Sequence, residues 1–242
     1  MQKELKIIID KFTQFLSQKF KKYDHKLPYI IIVFLSLFIV IFGIKLFVEL
    51  TESLKTDLLA EFDTTISQYI TSFRSPFLTE YFLFVTDVGD IWGYLIVFTL
   101  CALLFYVLFK RWKYVVQITL ILLLALSSNL LLKQIINRAR PTLEHLVTVK
   151  TLSYPSGHAM TAMAFYGFLI YLIFTFRIRK ILKFSIIALL IVLILSIGIS
   201  RVYLGVHFPS DIAGGFIAGF IWVIFCILIL NLLKVFKKDP NT

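Results

Sequence analysis

Six apolar runs, near residues 28–50, 91–109, 114–133, 156–176, 181–200 and 212–233, set the limits on what this chain can fold into. A helix rises about 1.5 Å per residue, so a run of roughly 20 residues crosses the ~30 Å hydrocarbon layer of a membrane. The runs are too uniformly apolar for the alternation of a barrel strand, and backbone groups in lipid must then be satisfied within helices. With 59% hydrophobic and 16% charged residues, the chain is more apolar than a water-soluble domain of 242 residues requires. The expected fold is all-α and integral to a membrane, a bundle of six transmembrane helices.

The formal net charge of +11 would suit a nucleic-acid partner, but its distribution excludes that reading. If the six spans alternate, the basic residues of 1–27 (seven), 110–113 (three), 177–183 (four) and 234–238 (three) share one side, while the connections 51–90, 134–155 and 201–211 hold six. Lys and Arg concentrate on the cytoplasmic side of membrane proteins. Both termini are therefore expected in the cytoplasm of a multi-pass cell-membrane protein. Residues 1–27 do not read as a secretory signal, because the apolar run after them is too long and no small-residue cleavage site follows. They read as a cytoplasmic basic amphipathic segment, with Leu5, Ile8, Ile9, Phe12, Phe15, Leu16 and Phe20 near helical spacing. Residues 28–238 form the membrane domain. Cys101 and Cys226 fall inside spans and read as packing residues. In the outer segment 51–90, Leu54, Leu58, Phe62, Ile66, Tyr69, Ile70 and Phe73 share one helical face, with Lys55, Asp57, Glu61 and Asp63 elsewhere. This reads as a second interfacial helix, capping the bundle.

Three polar islands interrupt the apolar chain, all on the outer side: Lys133 to Pro141, Tyr154 to His158, and Ser200 to Asp211. Cations gathered at membrane depth are costly unless an anion joins them. Ser156 directly precedes an apolar run and is a candidate N-cap, and a helix start offers free N–H groups that suit phosphate. Gly157 allows a ligand to approach the backbone. His207 and Asp211 lie four apart with Pro209 between them, so a tight turn brings the carboxylate to the imidazole and fixes its tautomer. Lys133, Arg140 and Arg201 supply positive charge, Arg as a fork for two phosphate oxygens and Lys as a point charge. Each island alone also has a plain structural reading as a cap, a snorkelling cation or an incidental histidine. Arg138 and Lys150 read as loop charges, and His25 and His145 as surface histidines.

Taken together, Lys133-(six residues)-Arg140-Pro141, Pro155-Ser156-Gly157-His158 and Ser200-Arg201-(five residues)-His207-(three residues)-Asp211 resemble the type-2 phosphatidic acid phosphatase family, in order and spacing. The resemblance implies that His207 attacks phosphorus and forms a phosphohistidine, that Asp211 orients His207, and that His158 protonates the leaving oxygen and then activates water. It also implies that Lys133, Arg140, Ser156, Gly157 and Arg201 bind the phosphoryl oxygens, with no metal or other cofactor. A serine hydrolase built on Ser156 lacks the Gly-x-Ser-x-Gly elbow. A metal site of His158, His207, Asp211 and Glu144 would meet repulsion from the clustered cations. The expected activity is hydrolysis of lipid phosphomonoesters or diphosphates at the outer face of the bilayer. Undecaprenyl diphosphate is favoured over phosphatidylglycerophosphate and phosphatidic acid. A phosphotransferase, or a non-catalytic lipid-phosphate carrier on the same scaffold, are the alternatives.

Overall fold

The computed structural model describes Lys11, residues 26–110 and residues 112–236. The amphipathic helix expected over 3–20 falls, Lys11 apart, outside the described residues. Among the described residues there are eight helices and no strands: α1 (Leu27–Ser53), α2 (Asp57–Thr71), α3 (Pro76–Val88), α4 (Ile91–Phe109), α5 (Lys113–Ile136), α6 (Gly157–Thr175), α7 (Lys180–Tyr203) and α8 (Pro209–Phe236). Helices α1, α5, α6, α7 and α8 are each long and apolar enough to cross a membrane. Helices α3 and α4 pass the same test only as a pair, bent by 60° at the break between them. The expected span over 91–109 is therefore α4 preceded by a bent extension. The bend has a local cause: the Gly89 N–H closes α3 on the Val85 and Thr86 carbonyls, and Asp90 Oδ1 accepts the Ile91 N–H to start α4.

The chain divides into two compact units, one of residues 42–223 and one from the two ends, up to Ile41 and from Ile224. In the smaller unit, Lys234 Nζ lies 5.0 Å from the centre of the Tyr29 ring. In the larger, α6 is the enclosed helix: Ala159, Met160, Ala162, Ala164, Phe165 and Phe168 are inaccessible. Helices α5 and α7 pack along α6, α3 and α2 pack on α7, and α4 packs on α5. The outward side of α7, with Ile181, Phe184, Leu189 and Val192, stays exposed as a lipid-facing surface requires.

Helix α2 buries a mixed face. Asp63 and Ser67 are inaccessible and Ile70 packs against Ala159, Val202 and Ile212, whereas Leu58, Phe62 and Tyr69 are exposed together with Asp57 and Glu61. Apolar contact through Ile70 seats the helix, and a cation inside the bundle claims Asp63.

The early turns of α8 approach α6 backbone to backbone. A Cβ built on Gly215 would lie 2.8 Å from Ser156 O, and one on Gly219 would lie 2.4 Å from Met160 O. Two glycines one turn apart allow this approach, as in other close helix pairs within membranes. Because backbone atoms are what the new methyl would strike, rotamer changes give no relief. Gly219→Ala is expected to destabilise the protein by about 1–3 kcal/mol, read as a lowered melting temperature in detergent. An unchanged Tm would contradict this packing.

Candidate active site

Helix α5 ends at Asn137, which takes the left-handed conformation at φ 52° and turns the chain into the first polar island. Lys133, in the last turn of α5, donates from Nζ to Thr151 Oγ1 at 3.3 Å and to the Leu152 carbonyl. Arg140 donates to the Thr151 carbonyl at 2.6 Å, to Thr151 Oγ1 at 3.1 Å and to the Val206 carbonyl. Both cations are thus held by carbonyl and hydroxyl oxygens, and among the described residues neither meets a carboxylate directly.

The third island is a turn between α7 and α8. Gly205 sits at φ 79°, and a Cβ there would lie 2.4 Å from the Glu144 carbonyl oxygen, so the position needs glycine twice over. The N–H groups of Val206 and His207 donate back to the Arg201 carbonyl, which closes the turn. His207 Nδ1 then lies 3.2 Å from Asp211 Oδ2, and its Nε2 lies 3.3 Å from Arg140 Nη1. An ionised carboxylate only accepts and an arginine only donates, so this network assigns the proton to Nδ1 and the lone pair to Nε2. Burial pushes the His207 imidazole down to about 3 despite the favourable carboxylate, so the ring is neutral at physiological pH.

Asp211 is itself fully buried and fully engaged. Its Oδ2 accepts from the Phe208 N–H at 2.8 Å and from Ser153 Oγ, and its Oδ1 accepts from Arg138 Nη1 at 2.7 Å. Arg201, in the last turn of α7 and 4% exposed, donates from Nη1 to Thr86 Oγ1 at 2.6 Å. Its Nε is buried with no hydrogen-bond partner among the described residues. An unpaired buried donor on a cation is expensive, and an anion in the adjoining space would satisfy it.

That space is a cavity of about 710 Å³. Lys133, Arg140, Lys150, Gly157, His158, Arg201 and His207 line its polar end, and the leucines and aromatics of α4 and α5 line the rest. Six of the eight sequence-predicted site residues therefore surround one volume. The other two stand behind it. Asp211 backs His207, and Ser156 caps α6, its Oγ accepting the Ala159 N–H at 3.5 Å while its side chain is wholly buried.

Two expectations need correction. Arg138 is not a loop charge: its guanidinium bridges Asp63 and Asp211, each at 2.7 Å. Lys150, although exposed, lines the cavity. Sequence reasoning also missed Asp63, Thr86 and Ser153. Arg138 offered one signal, its place two residues before Arg140 in the same island. Thr86 offered none. The rival metal set loses Glu144, which pairs with Arg74 at 3.4 Å.

The chain is similar to known proteins in sequence and in fold. Residues 114–234 match the PAP2 superfamily. Phosphatidylglycerophosphatase B of Bacillus subtilis (strain 168) is 33% identical over 184 residues, 72% of this chain and 85% of that protein. Lipid A 4'-phosphatase of Bacteroides thetaiotaomicron is 26% identical over 183 residues, 68% of this chain and 75% of that protein. Among solved structures, the first transmembrane PAP2 type phosphatidylglycerolphosphate phosphatase from Bacillus subtilis superimposes with a TM-score of 0.74 at 28% identity, over 82% of this chain and 98% of that one. Aquifex aeolicus LpxE shares the fold, with a TM-score of 0.55 at 23% identity over 67% of this chain and 93% of its own. On its motifs, its fold and these relatives, the chain belongs to the PAP2 superfamily.

Proposed function

We propose that this protein is a membrane lipid phosphatase that works without a metal ion, through a phosphohistidine on His207. The observation that carries the reading is the pair of contacts on one neutral, buried ring: Nδ1 on Asp211, and Nε2 beside Arg140 at the cavity wall. Such a ring is a preset nucleophile. Nε2 attacks phosphorus, the bond from phosphorus to the lipid oxygen breaks, and His158 gives that oxygen a proton. His158 then takes a proton from water, which attacks the phosphohistidine and releases inorganic phosphate. Lys133, Arg140, Arg201 and the Gly157 backbone stabilise the charge spread over the equatorial oxygens, the part that magnesium plays in other phosphoryl-transfer sites. Ser156 supports this indirectly, by fixing the helix start that presents Gly157 and His158.

The cavity also supports a lipid substrate. Its wall residues Leu95, Leu123, Leu126 and Leu130 are between 47% and 61% exposed, so the polar end is continuous with an apolar groove between α4 and α5. A head group at the cations and an acyl or isoprenoid chain in the groove satisfy both ends. The name of the B. subtilis relative favours phosphatidylglycerophosphate as the substrate. Undecaprenyl diphosphate, the substrate favoured from sequence, presents the same terminal phosphate and is the competitor to assay beside it. The charge asymmetry supports a cell-membrane protein with cytoplasmic termini and an active site at the outer face.

Purified protein is expected to release phosphate from a panel of lipid mono- and diphosphates with EDTA present; strict dependence on an added divalent cation would overturn the mechanism. His207→Ala is expected to remove turnover, and Arg140→Ala to lower kcat/KM by roughly 10²- to 10³-fold, both read by phosphate release. For orientation, a membrane-impermeant thiol reagent applied from outside should label His145→Cys and spare Trp112→Cys in a chain whose own cysteines are replaced. Reversed labelling would invert the topology.

A further inference from the structure

The signature positions leave one buried charged group unexplained. Asp63, on α2, is inaccessible and far from the three islands in sequence. Its carboxylate accepts from the Ser210 N–H at 2.9 Å, from Ser210 Oγ, and from Arg138 Nη2 at 2.7 Å. The other arm of Arg138 reaches Asp211 Oδ1 at 2.7 Å and Ser210 Oγ at 2.7 Å, and its guanidinium lies 4.4 Å from the centre of the Phe208 ring. One guanidinium therefore holds the chain just after His207, at Phe208, Ser210 and Asp211. Two wholly buried carboxylates share it.

We propose that Asp63 and Arg138 are positioning residues for phosphoryl transfer: Arg138 fixes the rotamer of Asp211, and Asp63 offsets the Arg138 charge so that Asp211 keeps its own for the His207 ring. The proposal rests on the reading of His207 as the nucleophile. With Oδ1 held by Arg138, only Oδ2 is left for His207 Nδ1. Charge counting gives the second half. Two carboxylates, one guanidinium and a neutral imidazole sum to one negative charge. When the Nε2–P bond forms and the P–O bond to the lipid breaks, the leaving oxygen takes its proton from His158 and the ring keeps Nδ1–H. The ring is now cationic, and the buried group becomes neutral. Without Asp63 the group would begin neutral and end positive, which a low-dielectric site resists. Asp63 thus biases the site toward the phosphorylated state without touching substrate.

The test is a double-mutant cycle on the full chain in detergent, with phosphatidic acid as the probe substrate and the phosphoenzyme burst recorded beside steady-state rates. Asp63→Asn is expected to lower kcat and the burst rate about 10- to 100-fold, the usual scale for residues that orient a catalytic group, with KM unchanged. In an Arg138→Met background the same substitution is expected to change kcat by less than about 2-fold, because its effect passes through Arg138. A raised KM at unchanged kcat, or equal losses in both backgrounds, would overturn the proposal. Should Asp63→Asn fail to fold, Ser210→Ala removes a bridge shared by both side chains and must lower kcat in the same direction; an unchanged kcat there also overturns it. Turnover by His207→Ala would sink the nucleophile assignment itself, whereas an inert His207→Ala beside a fully active Asp63→Asn would sink only the clamp.

Discussion

The cavity end of this bundle is organised by the cost of keeping cations where water is scarce. Lys133, Arg138, Arg140 and Arg201 converge on a space bounded by apolar helices, and each is stabilised differently. Arg138 is neutralised by Asp63 and Asp211. Lys133 and Arg140 rest on the carbonyls of Leu152, Thr151 and Val206, which orient them without cancelling their charge. Arg201 has Thr86 for one arm and an unpaired Nε. Among the described residues, Arg138 is the one of the four that is ion-paired. The other three line one cavity, which in the proposed function receives the anion.

In the proposed mechanism, that division separates binding from nucleophile support within one cluster of like charges. The uncompensated cations face the cavity and suit a phosphoryl group. The compensated one lies behind His207, the proposed nucleophile, and holds the turn at Phe208 and Ser210. His207 stands between the two sets, its Nε2 toward the first and its Nδ1 toward the second. The close approach of α8 to α6 at Gly215 and Gly219 fixes the distance between the turn and the start of α6, where Gly157 and His158 enter the same cavity.

Much of this was legible in the chain. Length and hydropathy determine a membrane helix almost alone, because lipid allows few other ways to satisfy a backbone, and all six expected runs coincide with single helices within a few residues. One of them, α4, is long and apolar enough to span only with its bent partner α3, whose break depends on the local caps at Gly89 and Asp90. The proposed site residues stood out because phosphate chemistry restricts their types and spacing, and six of them line one cavity. Asp63 escaped for a physical reason. Periodicity marks which residues of α2 share a face, but it does not say whether that face meets protein or lipid. The face that α2 turns inward is mixed, with Ile70 on the core, and an acidic residue that looks solvated becomes the buried partner of Arg138. Thr86 escaped because its role depends on where α3 packs against α7, a contact with no local signature.

The central claim is that His207 carries the phosphoryl group, and trapping that species tests it most directly. His158→Ala incubated with an aryl phosphate, whose leaving group needs no proton, should accumulate the intermediate because water activation is lost. After an alkaline quench, which preserves phosphohistidine, peptide mass spectrometry should place the phosphoryl group on His207. A phosphoryl group on Ser156 or Ser153, or an unmodified protein that still turns over, would contradict the account.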